Sequence, residues 1–279
     1  MTTMYGDLGR PPLREDELAR ALTGAGSRWS EVTVVEAVAS TNAALASLGR
    51  TDARDGLVLV AEHQTAGRGR LDRTWVAPPR AGVTMSVLVR PVDVPVGRWP
   101  WVPLLSGLAV AATVRQVARV PAVLKWPNDV MVGGRKLGGL LVERIDGGRD
   151  GGRAAAVIGI GLNVSTTRAE LPTTQATSLA LESAATTDRC TLVKAILRRL
   201  EGLLAVWEHG FGVPSGELQG AYRAACSTIG QPVRIELPGH EAVDGVATGV
   251  DETGRLLVDT ETGPRAFGAG DVMHVRRSA

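Results

Sequence analysis

The densest run of chemically useful side chains is Gln64 to Trp75, QTAGRGRLDRTW, placed directly after the apolar run Leu57 to Ala61. Glycines such as Gly67 and Gly69 let a backbone take positive φ and turn its amides toward one point, an arrangement that holds anions. Arg68, Arg70 and Arg73 add fixed positive charge and forked donors matched to carboxylate and phosphate. Trp75 adds a flat face for a base or a ring. A solvated basic loop that tracks RNA is the other reading, since arginine and glycine repeats also serve that purpose. Against it, the loop lies between two strand-like runs, Leu57 to Ala61 and Val83 to Val89. The string is neither a P-loop nor a GxGxxG turn.

Three further clusters follow. Lys125-Trp126-Pro127-Asn128-Asp129-Val130 is rich in turn formers, and taken singly it reads as a plain turn between strands rather than as a site. Lys136 enters an apolar run that contains Gly138 and Gly139 and ends at Glu143. Glycine weakens a strand unless a ligand or another backbone must come close. Gly159-Ile160-Gly161-Leu162-Asn163-Val164 repeats the theme, with a bulge or tight packing as its ordinary explanation. Together these departures from good strand chemistry point to backbones approaching a flat ligand.

Positioning such groups requires a framework, and the pattern supplies one. Helical spacing marks Arg14 to Leu22, Trp99 to Val117, Thr191 to Trp207 and Ser215 to Ala225. Strand-like runs cover Glu31 to Val38, Leu137 to Ile145 and Ala155 to Val164, the last two joined by the turn-rich DGGRDGGR, read as a hairpin with a mobile tip. Ser40, Thr41 and Asn42 form an N-cap signature. After Cys226 short β-rich runs alternate with turns: Val233 to Leu237, Ala242 to Val250, Arg255 to Asp259, Arg265 to Phe267 and Val272 to Val275. They read as a small β-barrel or meander that needs to dock on the larger part.

With 279 residues, 44% of them hydrophobic, the chain can bury a large core. A net charge of +2 shows none of the basic excess of a dedicated nucleic-acid binder. Two cysteines are too few for a disulfide framework, and their surroundings suggest no zinc site or other metal cluster. The N-terminus lacks the apolar core of a signal peptide and no run is long enough to span a bilayer, so a cytoplasmic location without membrane partners is expected.

The strings GRGRLDRTW, KWPNDV, KLGGLLVE and GIGLNV, in this order and near this spacing, closely resemble the biotin–protein ligase family. Ser40-Thr41-Asn42 and Thr177-Ser178-Leu179 also resemble its pattern, and the likeness spans most of residues 30 to 277. The resemblance implies an α/β (α+β) catalytic domain on a mixed sheet, residues 29–226, with an SH3-like β-barrel over 227–279 after an N-terminal extension of 1–28. It implies activation of biotin with ATP and magnesium to biotinyl-AMP. The biotin then passes to a lysine of a biotin carboxyl carrier domain from an acyl-CoA or pyruvate carboxylase.

Biotin contacts would map to Ser40, Thr41, Asn42, Gln64, Arg68, Gly69, Arg70 and Lys136, with Gly138 and Gly139 lining the slot. Gly67, Arg73 and Asn128 join the binding set, and Trp75 and Asn163 would lie near adenine and ribose. Lys136, Arg70 and Asp129 would carry the chemistry. Carboxylate and α-phosphate repel by about 4 kcal/mol at 4 Å and an effective dielectric of 20, so fixed cations are required. Larger members carry an N-terminal helix-turn-helix; one obvious helix precedes the first strand here, so no DNA binding is expected. A lipoate–protein ligase is the nearest rival reading, and a non-enzymatic nucleic-acid-binding protein is a more distant one.

Overall fold

The computed structural model describes residues 9–51, 53–146, 153–237, 242–268 and 271–274. Strand β1 (Glu31–Val38) pairs in parallel with β2 (Leu57–Gln64), and α2 (Thr41–Arg50) makes the crossover between them. It follows the short α1 (Glu15–Leu22). Every later pairing in this sheet is antiparallel. The remaining strands are β3 (Gly82–Val89), β4 (Val123–Lys125), β5 (Asp129–Val132), β6 (Arg135–Ile145) and β7 (Ala155–Asn163). Spatial order is β1-β2-β3-β7-β6-β5-β4, the mixed sheet that the resemblance implies.

Alternation along β7 divides the molecule. Ala156, Ile158, Ile160 and Leu162 face the main core, shared with α3 (Trp101–Gln116) and α4 (Arg189–His209). Ala155 and Val157 face the other way, in a smaller cluster with Leu45 and Ala46 of α2. Gly159 and Gly161 continue that second face beyond the start of α2. The helix therefore fills only part of it. Helix α3 is apolar all round, and twelve of its sixteen residues are buried between sheet and α4.

After α5 (Gly216–Ala225) the chain forms an antiparallel sheet of five strands. These are β8 (Pro232–Glu236), β9 (Ala242–Val250), β10 (Leu256–Thr260), β11 (Gly263–Phe267) and β12 (Asp271–His274), in the order β11-β10-β9-β8-β12. Its inward residues Val233, Ile235, Leu256 and Val258 belong to the same core as the large sheet, which meets the need of so small a sheet for outside support. Tryptophans pin the contact. Trp101 Nε1 donates to Asp251 O at 3.0 Å, Trp126 Nε1 to Gly254 O at 3.3 Å, and Trp126 N to Thr228 Oγ1 at 3.1 Å. Gly254, at φ +80°, lets its turn press against Pro100, where a Cβ would come within 2.9 Å.

The segment before β1 is fastened to the large sheet. Glu62 of β2 pairs with Arg189 at the start of α4, both almost fully buried. Glu62 also accepts from Leu13 N at 2.6 Å, and Arg189 donates to Pro11 O at 2.6 Å. Removing one partner of such a pair leaves a buried charge, at a cost of about 3–5 kcal/mol.

The sequence patterns locate every long element. They miss β4 and β5, three and four residues long, because strands that short hold at most two periods of alternation. The DGGRDGGR tip falls on 147–152 and Val275 closes the final run; both lie outside the described residues.

Glu17 of α1 accepts from Arg14 and from Lys194 of α4, at 2.5 Å for the latter. The Arg14 hydrogen bond first, and the Lys194 bond second, hold its carboxyl down at about 2, against an ordinary 4.5. A depressed carboxylate stabilises the fold above its unfolded pKa and loses that contribution as pH falls through the folded value. Unfolding of wild type and Glu17→Gln, followed by circular dichroism, should differ by a constant amount above pH 4.5 and converge toward pH 2. A gap unchanged at low pH would refute the assignment.

Candidate active site

A cavity of about 720 Å³ opens on the second face of the large sheet, beyond the N-terminus of α2. Its floor comes from β3, β6 and β7, and one wall from the Gly/Arg segment. The β4–β5 turn forms the opposite wall, and Glu236, Val272 and Met273 of the small sheet close part of the rim.

The Gly/Arg segment folds as a small hairpin. Arg68 bridges Thr74, Gly69 N donates to Arg73 O at 2.7 Å, and Trp75 N donates to Gly67 O at 3.0 Å. The sequence reading gave the positive φ angles to its glycines, and the structure corrects this. Leu71 and Asp72, at φ 54° and 55°, make the tip, with Arg73 N donating to Arg70 O at 3.2 Å. Positive φ at both central residues is the primed turn that matches the strand twist of a hairpin. Gly67 is needed for proximity instead, because a Cβ there would lie 2.3 Å from Trp75 O.

At the cavity floor, glycines make room for side chains. A Cβ on Gly159 would sit 2.2 Å from Asn42 Oδ1, and one on Gly161 2.5 Å from Trp75 Cε2. The flat group against the floor is therefore the Trp75 indole, which also lies over Gly139 and leaves its buried Nε1 without a partner. Gly138 backs onto β7, where a Cβ would meet Gly161 O at 2.7 Å. Gly67 and Gly138 are thus the two expected site residues that do not line the cavity; all the others do.

Lys136 reaches the cavity through a register shift. Val130 pairs with Gly138 but Met131 with Lys136, so Leu137 is an extra residue in β6. The bulge flips the alternation. Lys136 and Gly139, three apart, share the cavity face while Leu137 is fully buried. Lys136 Nζ lies 2.5 Å from Asp129 Oδ1, and Arg70 Nη1 donates to Asn128 Oδ1 at 3.2 Å. Asn128 is fixed by donating to Leu140 O at 2.9 Å, while Leu140 N donates to Asn128 O at 2.9 Å. The WPND segment is therefore both a turn between strands and a wall of the cavity.

Ser40 caps α2, accepting from Ala43 N at 3.4 Å. Gln64 Oε1 accepts from Thr41 N at 2.8 Å and Thr41 Oγ1 at 3.0 Å. Asn163 Nδ2 donates to Thr177 O at 3.0 Å, tying the end of β7 to the Thr-Ser-Leu segment. Sequence reasoning passed over Ser86, whose hydroxyl is 2.7 Å from Thr41 Oγ1 and 2.6 Å from Asn42 Oδ1. The available signal was a hydroxyl inside the otherwise apolar Met85–Val89 run, since a buried hydroxyl demands a partner. Among the described residues no group of three or more His, Cys, Asp or Glu could hold a metal ion. No described helix is long and apolar enough to cross a membrane.

Cations on two walls of a cavity with a small-residue floor suit a ligand that is part ring and part anion, the demand made by an enzyme that joins a carboxylate to a nucleotide phosphate. Residues 34–163 match the Biotin/lipoate A/B protein ligase family and residues 228–275 the Biotin protein ligase C terminal domain. The biotin--[acetyl-CoA-carboxylase] ligase of Mycobacterium tuberculosis is 43% identical over 271 residues, covering 96% of this chain and 97% of that protein. The bifunctional ligase/repressor BirA of Escherichia coli is 31% identical, over 82% of this chain and 70% of its own length. The structure of the Aquifex aeolicus biotin protein ligase with biotin and ATP superposes with a TM-score of 0.71 at 26% identity, over 89% of this chain and all of that one. The chain belongs to the biotin protein ligase family.

Gly161→Ala places a methyl where the indole now sits and should expel Trp75 from the floor. The Trp75 contribution to fluorescence, taken as the difference from Trp75→Phe, should shift to the red. An unshifted spectrum would show that the ring does not rest on β7.

Proposed function

We propose that this chain activates biotin with ATP and transfers it to a lysine of the biotin carboxyl carrier domain of acetyl-CoA carboxylase or a related pyruvate carboxylase. The observation that carries the proposal is the pairing of Lys136 with Asp129 on the cavity wall beside Arg70, in a chain of this family. In this reading residues 29–226 form the catalytic domain and 227–279 a C-terminal domain whose rim residues meet the ligand.

In the first step a biotin carboxylate oxygen attacks the α-phosphorus of ATP. The bond from that phosphorus to the bridging oxygen breaks, and pyrophosphate leaves. The carboxylate is its own nucleophile, so the protein supplies position and charge. Lys136 and Arg70 bridge carboxylate and α-phosphate, while Arg68 and Arg73 face the outer phosphates. Ser40, Thr41, Asn42, Gln64 and Gly69 hold the biotin end, with Gly139 beneath. Asn163 serves the nucleotide, and Trp75, now on the floor, covers it once displaced. The described donor set offers no carboxylate cage. Magnesium is therefore assigned to the ATP phosphates as part of the substrate, in keeping with a cation that retains most of its water.

In the second step the carrier lysine nitrogen attacks the acyl carbon, AMP departs with the bridging oxygen, and the nitrogen sheds a proton. Fewer than about one in a thousand ordinary lysine amines is neutral at pH 7. Asp129 attracts the ammonium and helps it lose that proton. Its present partner explains the order of events. Phosphate oxygens arriving at Lys136 compete with Asp129, which frees the carboxylate for the incoming lysine.

Two observations favour biotin over lipoate: the C-terminal match to biotin ligases, and the biotin-named relatives from two organisms.

Calorimetric titration with biotin, then with ATP and magnesium, should show binding that tightens as pyrophosphate is released. Uptake of lipoate or octanoate in place of biotin would replace the substrate. Lys136→Ala should slow pyrophosphate release by about 100-fold or more, the usual loss when a group stabilising transition-state charge is removed. Near wild-type release would defeat the central assignment. Arg70→Gly should let biotinyl-AMP escape, seen as biotin on lysines of bystander proteins; tight retention would count against the hairpin as a cover.

A further inference from the structure

We infer that Glu143, which does not line the cavity, is a positioning residue that latches the Arg68 hairpin to the biotin-facing Asn42. The inference rests on the biotin ligase reading and extends it to a residue outside the cavity lining.

Glu143 lies on the cavity-side face of β6, beyond Gly139 and Leu141. Its two oxygens serve two elements. Oε2 accepts from Asn42 Nδ2 at 2.8 Å, and Oε1 lies 3.5 Å from Arg68 Nη1 in the hairpin. Asn42 Nδ2 also donates to Leu141 O at 3.2 Å. Both of these partners only accept, so the Asn42 amide nitrogen must face them and its Oδ1 must face Ser86. Gly159 leaves the space this side chain needs. A continuous chain of polar contacts, ending in the ion pair, then runs from Gln64 through Thr41, Ser86, Asn42 and Glu143 to Arg68. Both ends of that path lie in the Gly/Arg segment, at its entry and within the hairpin, and its middle is the cavity floor. A ligand that orders the floor thereby orders Glu143, and Glu143 holds the hairpin down.

The size of the effect follows from exposure. Arg68 is 55% exposed and Glu143 28%, so the pair is a partly screened ion pair rather than a buried one. Such a pair changes an equilibrium by roughly five-fold and weakens as salt rises. Glu143→Gln separates the two contacts, since its amide oxygen can still accept from Asn42 while its NH₂ faces the guanidinium.

The test follows biotinyl-AMP release from preloaded enzyme by stopped flow, alongside its single-turnover formation, at rising potassium chloride. In wild type, release should accelerate with salt. In Glu143→Gln it should be about five-fold faster at low salt and nearly independent of salt, with formation and biotin affinity changed little. Glu143→Asp, which keeps the charge but withdraws it, should fall between, and covers the case of a Gln variant that fails to fold. In an Arg68→Met background Glu143→Gln should add nothing. Wild-type release and salt dependence in the variants, or an undiminished effect without Arg68, would overturn the latch while leaving the ligase intact. A wild-type enzyme that forms no biotinyl-AMP would overturn the underlying reading itself.

Discussion

Strand β7 must satisfy two incompatible neighbours, and the rest of the molecule is arranged around that demand. On one side Ile158, Ile160 and Leu162 pack into the main core against helices. Burial of each such side chain contributes roughly 1.5–3 kcal/mol. On the other side the same strand must come close to Asn42 and Trp75, and only glycine at 159 and 161 permits it. Two glycines would weaken an isolated strand. Here β3 and β6 pair with β7 along most of its length, so the ladder on both edges offsets the missing side chains. A central strand can carry a bare floor. An edge strand could not.

The second constraint is parity. Cations must reach one face of β6 while its apolar residues reach the other, and strict alternation would place Lys136 and Gly139 on opposite faces. The single extra residue, Leu137, resolves the conflict by shifting the register against β5. The bulge sets Lys136 against Asp129, at the turn whose Asn128 contacts Arg70. The charged groups thus come from three separate segments, each fixed by backbone pairing rather than by its neighbours' side chains.

Much of this was legible beforehand, for identifiable reasons. Long elements carry several periods of apolar alternation, so α3, β6 and β7 stand out, and the N-cap at Ser40 is a local chemical signal. The Gly/Arg string also marked its own place. Its internal geometry was not legible. Glycine suggested positive φ, yet the tip falls on Leu71 and Asp72, because the hairpin register and the close approach of Trp75 to Gly67 decide where the turn lies. Contributions from distant sequence were equally hidden. Nothing local to Glu236, Val272 or Met273 announces that the small sheet reaches the cavity rim. Nor does anything near Pro11 announce its hold by Arg189.

That last tie bears on how the chain acquires its shape as it leaves the ribosome. Arg189 and Glu62 are 127 residues apart. At about 5–20 residues per second, roughly 6–25 seconds separate their synthesis. During that interval the carboxylate of Glu62 has no guanidinium, Pro11 lacks the donor that will hold its carbonyl, and β7 joins β3 only toward the end. The arginine-bearing hairpin is made early and its floor late. The nascent chain therefore passes through a period in which its arginine-bearing hairpin is displayed without the strand that floors the cavity, and the start of α4 ends that period by tying the segment around Pro11 to the large sheet.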